Sequence, residues 1–225
     1  MDLQRNEERP LSTHNEEIVE HPYKKEVAKA RGADQGVHPL IFNRWSPRSM
    51  TGEEMTEKEL MALFNAARWA PSSYNNQPWR FLYARKNTPS WPLFFDLMVE
   101  FNQGWTKNAS ALVVVISGKN FEHNGKPART HSFDTGAAWM AMALEGAWRG
   151  YVVHGMEGFD YEKARKSLNI TDEYQVEAMI AVGKRAPVDQ LPPDLQKRES
   201  PSTRKEADEI AIEGKFKKVS KERVA

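Results

Sequence analysis

Three separated groups of polar side chains could bind or steer a small molecule. The first is Asn43-Arg44-Trp45-Ser46-Pro47-Arg48-Ser49, where two guanidinium groups four positions apart flank a hydroxyl. Arginine offers a planar fork of charge-assisted donors, so such a pair can converge on one phosphate from a single turn of chain. Two exposed arginines beside a helix-start serine explain the same residues. The second group is Ala70-Pro71-Ser72-Ser73-Tyr74-Asn75-Asn76-Gln77-Pro78-Trp79. A rigid turn this dense in hydroxyls and amides exceeds what a connection needs, and it can present donors and acceptors to a polar heterocycle. The third is Gly183-Lys184-Arg185, directly after the apolar run AMIAV. Paired cations at a strand end are often only a solvated terminus; facing Arg44 and Arg48 across one anion, they would complete a phosphate site.

Other catalytic signatures are missing. There is no GxSxG elbow, no P-loop, no GxGxxG and no HExxH spacing among the six histidines. With no cysteine, disulfides, thiolate metal sites and cysteine nucleophiles are excluded. Any chemistry should therefore come from a bound cofactor, with no catalytic side chain and no metal.

The elements that must position these groups follow from periodicity and punctuation. Thr56 with Glu59 predicts a capping box, and Leu60, Met61, Leu63, Phe64 and Ala67 continue it as a helix that Pro71 ends. The serine-rich run after it is a loop. Strands are expected at Trp79–Ala84, Ala111–Ser117, Tyr151–His154 and Ala178–Val182, the ALVVVIS run being covered on both faces. Asp134–Arg149 reads as a helix, apolar nearly all round and so buried, and Tyr161–Leu168 as a polar one. Its small residues, Gly136, Ala137, Ala138, Ala141, Ala143, Gly146 and Ala147, permit close packing in an ordinary core or across a two-fold interface. After Pro187 the composition turns to Pro, Lys, Glu and Ser, with EIAIEGKF (Glu209–Phe216) expected as a late strand.

At 225 residues the chain suits one core domain. The expected partition is a polar arm at 1–36, a domain at 37–187 and an extension at 188–225. Thirty-two basic side chains against 31 acidic give a net charge of +1, which offers no broad cationic field for nucleic acid or an anionic membrane. No stretch approaches the ~20 apolar residues of a membrane span, and the charged start lacks a secretory apolar run, so a soluble cytoplasmic protein is expected.

The strings RWSPRSM, ARWAPSSYNNQPWRF, HGMEGFD and VGKRAP, in that order and spacing, closely resemble the nitroreductase-like family of FMN enzymes over roughly Pro39–Pro187. The PSSxNxQPW pattern is the specific one. The resemblance implies an α+β, three-layer fold: a mixed, mostly antiparallel central sheet flanked by helices, in an intertwined homodimer whose extension wraps the partner. It implies that Arg44, Ser46, Arg48, Lys184 and Arg185 hold the FMN phosphate and ribityl chain. Pro71, Ser72, Ser73 and Asn75 would reach the flavin of the other subunit, with Gln77 a further contact. Glu157 and Gly158 would form the turn whose backbone amide faces flavin N5, Met156 packing nearby. Asn102 and Arg80 are further candidates at the ring. Trp91, Phe94, Phe95, Phe101, Trp105 and Phe121 are either core or a roof over the flavin. The implied reaction is ping-pong hydride transfer from NAD(P)H to a small aromatic, quinone or nitro acceptor. Related activities with the same cofactor are reductive dehalogenation, enoate reduction and FMN binding without turnover.

Overall fold

The structure is a computed structural model that describes residues 23–32 and 36–216. The arm expected at 1–36 therefore lies largely outside the described residues. In chain order the elements are α1 (Lys25–Arg31), α2 (Pro39–Asn43), α3 (Glu57–Ala67), β1 (Trp79–Arg85), α4 (Trp91–Phe95), α5 (Glu100–Thr106) and β2 (Ala111–Gly118). They continue with α6 (His131–Trp148), β3 (Tyr151–Met156), α7 (Tyr161–Ser167), β4 (Tyr174–Lys184), α8 (Pro193–Gln196) and α9 (Ala207–Ile210).

The four strands form one sheet in the order β1-β2-β4-β3, every neighbouring pair antiparallel. β2 is central, and its ALVVVIS run is buried throughout, as its lack of alternation requires. Successive strand residues point to opposite faces, so the sheet divides the core in two. Leu112, Val114, Met179 and Ala181 pack with Leu97, Met98, Trp105 and Phe159 from the α4–α5 link, α5 and the turn after β3. Val113, Val115, Ile180 and Val182 pack with Leu60, Leu63 and Ala67 of α3 and Ala138, Met142 and Ala143 of α6. This gives an α+β architecture with helices on both sides of the sheet. Truncating a fully buried residue such as Leu63 to alanine would cost about 2–5 kcal/mol.

The capping box forms as expected: Thr56 Oγ1 accepts from Glu59 N at 3.2 Å, and Glu59 Oε2 accepts from Thr56 N at 2.8 Å. α6 lies so close to β3 that a Cβ on Gly146 would sit 2.4 Å from Val153 Cγ2. Two expectations change. α6 is not buried all round: Phe133 is 81% and Trp148 57% exposed, and half-buried Ala137, Met140 and Leu144 lie between them on the same side. EIAIEGKF is not a strand; Glu206 and Glu209 exchange side-chain and backbone bonds that start the one-turn helix α9, and residues 211–216 pair with no strand among the described residues.

Candidate functional site

A cavity of about 480 Å³ opens between α6 and the end of the sheet, lined by Val115, Ser132, Thr135, Gly136, Trp139, Gly155, Met156, Glu157, Tyr161, Glu177 and Ala178. Its rim is the turn that follows β3. That turn is clamped from behind by α5. Val99 N and Asn102 Nδ2 both donate to the Gly158 carbonyl, at 3.1 and 2.9 Å. Asn102 Oδ1 accepts from the Trp105 indole at 3.1 Å. A Cβ on Gly158 would lie 2.5 Å from Asn102 Nδ2, so the turn needs glycine for this approach. Asn102 is thus buried behind the turn and acts on its backbone rather than reaching the cavity.

A second cavity, of about 540 Å³, is lined by Arg31, Val37, Ile41, Phe42, Arg44, Met140, Thr203, Arg204, Lys205 and Glu206. Three guanidinium groups and an ammonium face it, with Glu206 the single carboxylate among these lining residues. Arg44 Nε and Nη1 and Arg31 Nη2 are buried and have no hydrogen-bond partner among the described residues. Burial pushes the Arg44 and Arg31 pKa values down, Arg204's charge adds to this at both, and Arg44's adds further at Arg31. Arginine stays charged regardless, and buried charged donors left unspent are costly. This donor set suits a dianionic phosphate group, which accepts several such bonds and neutralises the excess charge. The two cavities share α6 as a wall: Trp139 lines the first and Met140 the second.

Loop 44–50 is held from three directions. Arg31 Nη1 donates to the Phe42 carbonyl, and its Nε donates to the Ser202 carbonyl at 2.9 Å, which joins α1 to the C-terminal extension. Glu199 Oε1 accepts from Arg48 N and Ser49 N at 2.7 and 2.9 Å. His154 Nδ1 lies 2.9 Å from the Pro47 carbonyl, which can only accept, so the ring donates there. Burial holds the His154 pKa down at about 4 against the raising effect of that bond, with the Arg48 and Arg44 charges adding to the decrease. Trp105 packs on the same imidazole, ring centroids 4.6 Å apart. A buried chain of contacts therefore runs from the Gly158 carbonyl through Asn102, Trp105 and His154 to Pro47, linking the turn at the first cavity to the basic loop.

The other expected site residues lie elsewhere. Lys184 does not line the cation-rich cavity; its Nζ donates to Glu53 Oε2 at 2.8 Å. β4 alternation sends it to the α3 side of the sheet with Ile180 and Val182. Arg185 shares a narrow cleft with Arg44, but both its terminal nitrogens bond Glu26 and its guanidinium lies 5.0 Å over the Trp45 ring. Arg48 and Ser46 belong to the held loop and line neither cavity. Pro71, Ser72, Ser73, Asn75 and Gln77 also lie apart from both. The loop is tied to the α6 start by Ser73 N donating to Asp134 Oδ2 at 3.0 Å. Tyr74, Asn75 and Gln77 all take positive φ, near 50°, which is rare outside glycine and gathers at functional loops. Asn75, Gln77 and Arg80 line a third cleft with Tyr74, and Arg80 pairs with Glu122 at 2.8 Å. Of the six aromatic roof candidates, none lines the first cavity; Phe94 and Trp105 are core.

Arg31, Arg204, Glu199, His154 and Glu177 were not foreseen. Arg31, Arg204, Glu199 and Glu177 belong to no string that stands out locally, whereas His154 opens the HGMEGFD string without an evident role of its own.

Comparison with known proteins follows the same outline. A model of the Nitroreductase family matches residues 41–90 and 86–184. A crystal structure described as an oxidoreductase containing FMN is 44% identical, with 83% of this chain and 96% of that one aligned at a TM-score of 0.79. A putative nitroreductase in complex with FMN from Desulfovibrio desulfuricans is 22% identical over 82% of this chain and 100% of that one, with a TM-score of 0.63. Another FMN complex, from Exiguobacterium sibiricum 255-15, is 19% identical over 81% of this chain and 98% of that one, with a TM-score of 0.65. These last two show the shared fold. No curated protein matches the chain.

Proposed function

The chain belongs to the nitroreductase family, and we propose that it is an FMN-dependent oxidoreductase that moves hydride from NAD(P)H to a small acceptor. The observation that carries this is the set of buried, unspent guanidinium donors of Arg44 and Arg31 beside Arg204, one helix wall away from a cavity rimmed by Glu157. Bound FMN would supply reversible hydride chemistry, which no side-chain constellation of this sequence provides.

In this reading Arg44 and Arg204 hold the phosphate, and Ser46 and Arg48 belong to the loop that carries Arg44. The backbone at Glu157 and Gly158 would orient the ring, and Gly155 and Met156 line the same cavity. Lys184 and Arg185 are left out, because Glu53 and Glu26 already neutralise them. Donor and acceptor would use the same cavity in turn, hence ping-pong kinetics, with rate gained from placement rather than from a protein acid or base.

The assembly belongs to the same proposal. The exposed apolar side of α6, Phe133 to Trp148, would be covered by a second copy of the chain. Pro71, Ser72, Ser73, Asn75 and Gln77, which do not line their own chain's cavity and of which Asn75 and Gln77 take positive φ, would serve the partner's cofactor. Residues beyond Glu206, with Ile210 and Phe216 exposed, would wrap that partner. A cytoplasmic site of action completes the reading; among the described residues no helix is long and apolar enough to cross a membrane.

The test is the absorption spectrum of the purified protein, before and after anaerobic NADH and NADPH, followed by turnover with a quinone and a nitroaromatic. Bleaching of a flavin spectrum and sustained nicotinamide oxidation are expected. A flavin that neither nicotinamide reduces would leave a binding protein instead, and a colourless protein that takes up no FMN would end the proposal.

A further inference from the structure

Regular alternation sends neighbouring strand residues to opposite faces, yet Glu177 and Ala178 both line the 480 Å³ cavity. The register explains it. Val115 pairs with Ala178, but Ile116 pairs with Val176, so Glu177 is an extra residue with no partner on β2. A bulge of this kind re-aims side chains. Val176 joins the core on the opposite face, and a carboxylate is delivered into the cavity wall.

That carboxylate is held in place. Ser132 Oγ donates to Glu177 Oε1 at 2.7 Å, and Ser117 Oγ donates to the same oxygen. Ser117 is fully buried. Having given its single proton to Glu177, it accepts from His131 Nδ1 at 2.7 Å. His131 Nδ1 itself lies 3.5 Å from Oε1. These contacts all fall on one oxygen, which leaves the other for a ligand. Glu157 is a second carboxylate on the wall, and no lysine or arginine is among the lining residues described. Thr135 Oγ1 and Trp139 Nε1, on the α6 side of the same cavity, are buried and have no hydrogen-bond partner among the described residues. A wall of negative charge facing unspent neutral groups is a recognition surface, because the low dielectric of a half-closed cavity amplifies the sign of whatever enters.

We propose that Glu177 selects the acceptor by charge: flat molecules bearing an amine, amidinium or other cationic N–H group are admitted, and carboxylates of the same shape are turned away. This rests on reading the cavity as the acceptor pocket. The test uses three non-reducible probes of one shape, benzamidine, benzamide and benzoate, titrated calorimetrically into the purified flavin-loaded protein at pH about 8, where an ordinary histidine is neutral. The expected order is benzamidine, then benzamide, then benzoate, the first exceeding the last by about tenfold or more. Glu177→Gln keeps the shape and removes the charge, and should bring the two extremes within about threefold. Benzoate binding as well as benzamidine in the unaltered protein, no binding by any of the three, or a ratio unchanged in Glu177→Gln would each overturn the assignment. If the variant fails to fold, the order in the unaltered protein decides. A yellow, nicotinamide-reducible protein without charge preference defeats only the selector; a protein that takes up no FMN defeats the proposed function itself.

Discussion

Two basic clusters flank loop 44–50, and their surroundings are opposite. Lys184 and Arg185 are half-exposed and already paired, with Glu53 and Glu26. Arg44 and Arg31 are more enclosed, have no carboxylate among their recorded partners, and keep buried donors unspent. In sequence both clusters read as possible halves of one phosphate site, and each also reads as a solvated surface. Neighbouring acids set them apart. A cation whose countercharge is supplied by the fold gains less from a ligand, which must displace a carboxylate already paired with it. A buried cation without one gains the full relief of its desolvation penalty when an anion arrives.

The contrast can be broken most directly at Arg44. Arg44→Ala should lower FMN affinity by about a hundredfold or more, the loss of one buried charge-assisted contact set of about 3 kcal/mol. The flavin retained through purification and a subsequent FMN titration would show it; retention at full occupancy would remove Arg44 from the phosphate site.

A second effect of similar size is predicted for acid. Folded His154 titrates near 4, whereas an unfolded chain's histidine titrates near 6.5. Between those values the unfolded chain takes up a proton that the folded one refuses, so stability falls as pH drops from about 6.5 towards 4, by about 3 kcal/mol in all. Denaturant unfolding across that range should show the loss, and His154→Gln should remove most of the slope. An unchanged slope in the variant would mean that other groups carry it.

Smaller again is the turn at the opposite end of the contact chain. Gly158→Ala should displace Asn102 and cost about 1–3 kcal/mol of stability, and turnover should fall more than flavin occupancy does. Equal losses of both would place the turn in retention of the cofactor rather than in orienting it. The smallest change belongs to the compensated cluster: Lys184→Ala should leave FMN occupancy the same. A colourless Lys184→Ala protein would reverse the comparison.

Much of the fold was readable because local rules and tertiary packing agree. The Thr56–Glu59 box, the Pro71 stop and the unbroken apolar run of β2 each gave the element found. β4 was read too short, as Ala178–Val182 rather than Tyr174–Lys184, because the bulge at Glu177 interrupts its alternation. The same bulge hid Glu177. EIAIEGKF has strand-like composition, but it pairs with no strand among the described residues, and the carboxylates of Glu206 and Glu209 cap a helical turn instead. The loop at Arg44 and the turn at Glu157 stood out as motifs. Arg31, Glu199 and Arg204 did not: Glu199 folds back over 150 and 151 positions onto loop 44–50 and Arg31 ties Ser202 to it across 171, and a lone arginine in a charged segment looks like any other.

The central claim, that Arg44 and Arg204 grip a phosphate, is tested most directly by comparing FMN with riboflavin, which differs only in lacking that group. Calorimetric titration of the cofactor-stripped protein should favour FMN by about a hundredfold or more, and Arg204→Ala should erase most of that preference while leaving riboflavin binding as it was. Equal affinity for the two flavins, or an Arg204→Ala protein with its FMN preference intact, would contradict the account.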